Sequence, residues 1–306
     1  MMSCEPAPHG GDAPAVAQRL GIDRRALLDL SASLNPVAPD VRPIVARHLD
    51  ALQDYPDDRR ATAALAEAMG VDADRLVLTN GGAEAIALVA RLHPRGWADA
   101  CDFSLYRRHL IDLDPTGPRW MSDPNNPTGT LAGPGDRAFV RDEAFYPLAT
   151  GRWTRGDADA IVLGSLTKAF ACPGLRIGYV LAPDAETARR VAAVRPRWSV
   201  SGLACDALPD LLAVADLAAW RSGIAELRGQ LSNLLAAHGI SAAPGAANYL
   251  WVPDAGDLRA HLFAHQILIR SGASFGHPDA VRIAVPTTTG LERLARALDS
   301  YEVPDA

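Results

Sequence analysis

The chain lacks the marks of several functional classes. No stretch approaches the ~20 apolar residues that span a bilayer, and no basic block stands out against a net charge of −6. Both absences argue against a membrane or a nucleic acid as the main partner. The four cysteines, Cys4, Cys101, Cys172 and Cys205, are too scattered for a zinc, haem or redox pair, and they read as reduced thiols. The opening residues, with Glu5, Pro6 and Pro8, offer neither the cationic head nor the apolar run of a secretory signal. A cytoplasmic location is therefore expected. HEXXH, a P-loop and a serine nucleophile elbow are missing. His261 and His265 lie one helical turn apart without a carboxylate, so no metal is expected.

What is present suits a folded enzyme. The 306 residues are 48% hydrophobic and 22% charged, and this length exceeds the roughly 250 to 300 residues of one core. Two cooperating units with a cleft between them are the expectation. The first thirty residues read as an arm, with a helix near 15–20 and a strand broken at Asn35-Pro36. The pattern predicts a helix from 41 to Tyr55-Pro56, another over 59–70, a strand at 75–79 and a helix over 83–92. Further strands are expected in RAFVRDEAF, at 160–166 and at 176–182. Such alternation implies an α/β fold with a mostly parallel sheet. Beyond Pro183 come Ala- and Leu-rich helix to about 238, three short apolar runs and a last helix at 290–300, which read as a smaller α+β unit. The expected division is an arm over 1–50, a large unit over 51–195 and a small C-terminal unit over 196–306.

Four signals carry chemistry. The strand RLVLT runs through Asn80-Gly81-Gly82 into a helix, where glycine and free N–H groups admit an anion, although a lone Gly-Gly is as readily a generic turn. SDPNNPTGT, residues 122–130, is dense in turn formers and can aim an asparagine amide into a cleft, or simply join two elements. Asp142 ends an apolar run at the sheet edge where ligands bind, a place where helix caps also occur. Lys168 follows an apolar strand in GSLTKAFACPGLRIGY with Ser165, Thr167 and Arg176 nearby. A desolvated amine there would attack a carbonyl, and the hydroxyls and guanidinium would grip a phosphate. A solvated surface lysine is the bland alternative.

In their order along the chain, these segments resemble the fold-type-I pyridoxal-phosphate transferases, in the histidinol-phosphate aminotransferase branch. The resemblance implies that Lys168 carries pyridoxal 5′-phosphate as a Schiff base and that Asp142 pairs with the ring nitrogen. It places Asn126 on the ring's phenolic oxygen and Phe103 against the ring face. The cofactor phosphate falls to Gly82, Ala83, Ser165, Thr167 and Arg176, and to Tyr55 from a second copy, so a homodimer with a shared site is implied.

Within that branch the chain resembles the L-threonine O-3-phosphate decarboxylases of cobalamin biosynthesis. The N-terminal His9-Gly10-Gly11, Phe145 in DEAF and the PRWSVSGLA segment carry this likeness. It implies a small anionic substrate, an amino acid phosphate, held by His9, Ser33, Asn126, Arg270 and Arg282. Two arginines suit a carboxylate together with a phosphate. Aminotransferase activity of the histidinol-phosphate type and a non-catalytic homologue are the alternatives. Two stretches are short for the family: 106–125 has room for one short element, and 130–142 has almost none for a helix. A crossover between parallel strands needs about a dozen residues, so at least one is expected to be missing or rebuilt.

Overall fold

The computed structural model describes residues 10–156 and 159–302. Eleven strands appear in chain order: β1 (Leu28–Leu30), β2 (Leu76–Thr79), β3 (Arg95–Gly96), β4 (Asp112–Leu113), β5 (Trp120–Ser122) and β6 (Val140–Asp142), then β7 (Ile161–Ser165), β8 (Gly178–Leu181), β9 (Tyr249–Val252), β10 (Ile267–Ser271) and β11 (Val281–Ala284). The larger sheet has the order β2-β8-β7-β6-β5. β5, β6 and β7 pair in parallel, while β8 is antiparallel to both β7 and β2. Four strands thus run one way and β8 opposes them, giving a mixed sheet. β8 reverses because the link from Ser165 to Gly178 returns directly, without the helical crossover that parallel neighbours need.

The edge strand β2 and its neighbours β8 and β7 are buried along both faces, as their unbroken apolar runs require. On one face Leu78, Val162 and Tyr179 pack with Leu65, Leu208 and Phe170. On the other, Val77, Leu163 and Val180 meet Ile86, Val89 and Trp120. Tyr179 crosses the sheet over Gly164, where any Cβ would lie about 2.0 Å from the ring.

A second sheet has the order β1-β10-β11-β9. The arm strand β1 joins it through parallel pairing of Leu28–Leu30 with Ile267–Ile269. The 21-residue helix Leu217–Ala237 links the two cores. Its Trp220 and Ile224 enter the first, and its Leu231 and Leu235 enter the second. The helix Gly202–Ala213 contributes Leu208 and Leu211 to the core of the first sheet.

The single helix expected from 41 to 55 is broken. Arg42–Ala46 is helical, and Leu49–Gln53 is a tighter 3₁₀ turn. The His48 ring and Arg47 both reach Asp210 at the break, each at 3.1 Å, and the carbonyl of Ala51 approaches Gly202 where a Cβ would not fit.

The expected loss of a crossover helix is realised between β5 and β6. These strands are parallel neighbours, yet residues 123–139 contain no helix. An ionic network fills the space. Arg141, 1% exposed, bonds Asp123 at 3.2 Å and the Asp136 carbonyl at 3.1 Å. Arg155 bonds Asp123 at 3.3 Å and the carbonyls of Ala132 and Gly133. The Arg155 N–H donates to the carboxyl of Glu143, which burial pushes up to about 7. Between Tyr106 and Asn125 only the rest of the short helix Ser104–His109, the two-residue β4 and β5 remain. Among the described residues no helix is long and apolar enough to cross a membrane.

Candidate active site

A cleft of about 850 Å³, counted to its open mouth, opens between the two sheets at the carboxyl ends of β2, β6 and β7. Lys168 stands in it on the four-residue helix Leu166–Ala169 directly after β7. The arm fixes this turn: Asn35 donates its backbone N–H to the Lys168 carbonyl at 3.1 Å and its side-chain amide to the Ala169 carbonyl at 2.9 Å. Lys168 Nζ donates to the Ala32 carbonyl at 3.1 Å and lies 5.9 Å from the Phe145 ring centre. Burial, and then the guanidiniums of Arg282, Arg176 and Arg270, lower this amine to about 8. An appreciable fraction is therefore unprotonated and nucleophilic near neutral pH.

Lys168 is the only lysine in the sequence; the other 29 of the 30 Lys and Arg positions are arginine. No other side chain of the sequence therefore offers an amine for imine chemistry, a signal legible in the composition.

Asp142, at the end of β6, faces the amine across the cleft. Tyr106 Oη donates to its Oδ2 at 2.8 Å, and the Ala144 N–H donates to Oδ1 at 3.0 Å. Burial raises its pKa, and the Tyr106 hydrogen bond opposes that rise. Phe103 lines the cleft one helical turn before Tyr106 and meets it edge to face at 5.7 Å. The helical spacing from Phe103 to Tyr106 was available in the sequence as a clue to Tyr106.

An anion cradle closes one end. Gly82 and Ala83 open the helix Gly81–Leu92, whose Ncap Asn80 makes no side-chain cap. Their backbone N–H groups thus point out of the helix start toward the cleft. Ser165 Oγ and Thr167 Oγ1 stand 2.8 Å apart beside them. A Cβ on Gly82 would sit 3.4 Å from that of Ser165, and one on Gly178 would lie 2.6 Å from the Gly81 carbonyl carbon. Glycine at both places lets the three segments converge. Arg176, at a left-handed φ of 55°, completes the cradle; it bonds only the carbonyls of Pro173 and Asn80, with no carboxylate in ion-pair range among the described residues.

The second sheet supplies the opposite wall. Arg282, 3% exposed, donates to Asn126 Oδ1 at 2.5 Å and to the Ser31 carbonyl at 3.0 Å, and lies over the Tyr249 ring. No carboxylate lies within ion-pair range of it among the described residues. Arg270, its register partner on β10, bonds Ser274 Oγ at 2.9 Å and stacks on Phe275.

The cleft therefore gathers Lys168, Asp142, Asn126, Phe103, Gly82, Ala83, Ser165, Thr167, Arg176, Arg270 and Arg282. Two expected residues are elsewhere. Tyr55 is 78% exposed, stacks on Trp198 at 4.6 Å and does not line the cleft. Ser33 is fully buried behind the wall; its φ of 47° turns the chain so that Ser31 and Ala32 face the cleft instead. His9 lies outside the described residues, next to Gly10, which lines the cleft. No cluster of metal-ligating side chains occurs among the described residues, the His261–His265 pair included.

A weakly basic amine opposite a buried carboxylate, with an anion cradle at one end, defines an imine-forming site for a phosphorylated aromatic cofactor. The family model for aminotransferase class I and II matches residues 120–298. The threonine-phosphate decarboxylase of Salmonella typhimurium is 31% identical over 349 residues, covering 95% of this chain and 95% of that protein. Histidinol-phosphate aminotransferase 1 of Dechloromonas aromatica is 26% identical, covering 93% and 92%. Among solved structures, the histidinol-phosphate aminotransferase from Sinorhizobium meliloti in complex with pyridoxal-5′-phosphate has a TM-score of 0.82 at 20% identity, covering 94% of this chain and 93% of that one. The chain belongs to the aminotransferase class I and II family, and its cofactor is pyridoxal phosphate.

Proposed function

We propose that the chain decarboxylates L-threonine O-3-phosphate to (R)-1-amino-2-propanol O-2-phosphate and CO₂ in cobalamin biosynthesis. The carrying observation is the pairing of Arg270 with Arg282 across β10 and β11, both facing one amine. Burial lowers the pKa of both guanidiniums, to about 9 and about 10; guanidinium nevertheless stays protonated at neutral pH. A substrate with a carboxylate and a phosphate offers one anion to each guanidinium.

The residues present fit pyridoxal phosphate. Gly82, Ala83, Ser165, Thr167 and Arg176 would hold its phosphate, Asp142 its ring nitrogen, Asn126 its phenolic oxygen, and Phe103 one ring face. A second copy would add Tyr55 to the phosphate. When bound, the cofactor supplies an electron sink for the bond broken at the substrate's Cα. Arg270 and Arg282 orient the substrate so that the Cα–carboxylate bond, rather than Cα–H, lies in the breaking position. Phe103, Phe145, Ile86 and Leu105 keep water from the reacting atoms. After CO₂ leaves, Lys168 Nζ returns a proton to Cα.

Two further features fit this reading. The arm over 1–50 joins the sheet of the 196–306 unit through β1 and passes Ala32 over the amine of the 51–195 unit. Free thiols at Cys101, Cys172 and Cys205 suit the reducing cytoplasm.

Incubating the cofactor-loaded protein with threonine phosphate should release CO₂ and amine phosphate. Release of a keto acid instead, leaving the cofactor as its amine, would establish the second reading, a histidinol-phosphate type of aminotransferase, which the 26% relatives favour. A protein with no visible band when given cofactor would be a non-catalytic homologue.

A further inference from the structure

Behind the floor of the cleft lies a carboxylate that the roles above leave unused. Asp102 is 1% exposed and does not line the cleft. Its Oδ1 accepts from the Phe103 N–H at 2.8 Å and from the Ser122 hydroxyl, and its Oδ2 accepts from the Ser122 N–H at 3.2 Å. Ser122 Oγ in turn accepts from the Asn126 N–H at 2.8 Å. One carboxylate thus ties together the residue that would stack on the ring and the residue that would meet its phenolic oxygen.

The electrostatics of the same group are unusual. Asp102 has no cation within ion-pair distance among the described residues, and its charged neighbour is Asp142. Tyr106 lies between them, with its hydroxyl on Asp142 and the charges of both carboxylates acting on it. Burial pushes Asp102 up to about 6 against three opposing hydrogen bonds, so it is mostly ionised at neutral pH. Two adjacent buried carboxyl groups, with Lys168 acting on Asp142 alone, are costly to ionise together. A protonated ring nitrogen facing Asp142, and a protonated nitrogen on Lys168, would offset that cost.

We infer that Asp102 is a positioning residue of the cofactor site: through Ser122 it fixes Asn126, and its charge, behind that of Asp142, raises the proton affinity of the bound cofactor's nitrogens. This rests on the cofactor reading of the cleft. The ionisable groups that face this assembly are Asp142 from β6, Tyr106 from Ser104–His109, Cys101 just before Asp102, Lys168 after β7, Tyr179 from β8, Tyr249 from β9 and Arg282 from β11.

The test is a pH titration of the visible absorbance of the cofactor-loaded protein. Asp102→Asn and Asp102→Thr both remove the charge while keeping a polar group for Ser122. Each is expected to bind one cofactor per chain and to lower the titration midpoint by about one pH unit, the size expected for loss of one nearby charge in a partly screened interior. Midpoints unchanged to within about 0.2 unit at full occupancy would overturn the inference and leave the cofactor reading intact. Failure of both variants to fold, seen by circular dichroism, would overturn it too, since the residue would then be structural. Wild-type protein without a visible band would instead defeat the cofactor reading itself.

Discussion

Tyr106 donates its hydroxyl to Asp142 at 2.8 Å from beneath the cleft, on a helix that also places Phe103 in the cleft wall. This bond favours the charged carboxylate and partly opposes a burial that raises its pKa. Hydrogen bonds to charged groups contribute about 1.5 to 3 kcal/mol. Tyr106→Phe should therefore weaken cofactor affinity or turnover about tenfold to a hundredfold with little loss of fold. Cofactor titration and steady-state rates read this directly, and an unchanged variant would show that Asp142 needs no support.

Because Lys168 is the sole lysine, amine chemistry reports on it almost alone. Its amine, lowered to about 8, should acylate about ten times faster per pH unit up to pH 8 and level off above. Peptide mass spectrometry separates it from the chain terminus. Loading with cofactor and reducing with borohydride should block the labelling and add one cofactor mass. A rate still climbing at pH 10 would contradict the lowered pKa.

The network that replaces the β5–β6 crossover helix should be fragile to single changes. Arg141→Met leaves the buried Asp123 with the Arg155 guanidinium and the Ala132 N–H, and breaking a buried pair costs about 3 to 5 kcal/mol. Asp123→Leu combined with Arg141→Met should cost clearly less than the sum of the singles. Thermal melting of the three variants distinguishes a coupled network from independent contacts.

Glu143 gives stability a pH dependence of known sign. Its folded pKa of about 7 stands above the ordinary 4.5, so the folded state binds the proton more tightly. The stability this confers is fully present below pH 4.5 and is lost as pH rises through 7. Glu143→Gln removes the titration. Relative to that variant, the wild type should lose on the order of 2 to 3 kcal/mol between pH 4.5 and 8. Equal pH profiles of denaturant midpoints would refute it.

Much of this was legible in the sequence because the chemistry sits in short contiguous segments. NGG, DPNNPTG, DEAF and SLTKAF each fold locally, as turns and strand ends whose backbone their own glycines, prolines and asparagines specify. The strands β2, β7 and β8 announced themselves as apolar runs. Asp102 and Ser122 did not, since an acid in a loop and a serine at a strand end carry no local mark of what they touch; Tyr106 showed only its one-turn spacing from Phe103. Ser33 misled for the same reason: a single left-handed residue there exchanges which neighbours face the cleft.

The sequence by itself determined that one side-chain amine exists, that it follows a buried strand, and which residue types accompany it. Those facts are covalent order and composition, and no packing could alter them. Only the tertiary structure decided that Asp102, twenty residues before Ser122, reaches it and through it Asn126, and that Arg270 and Arg282 stand side by side. It also decided that a buried ionic network closes the sheet where a helix is missing. Such pairings depend on strand register and burial, which many distant residues set together.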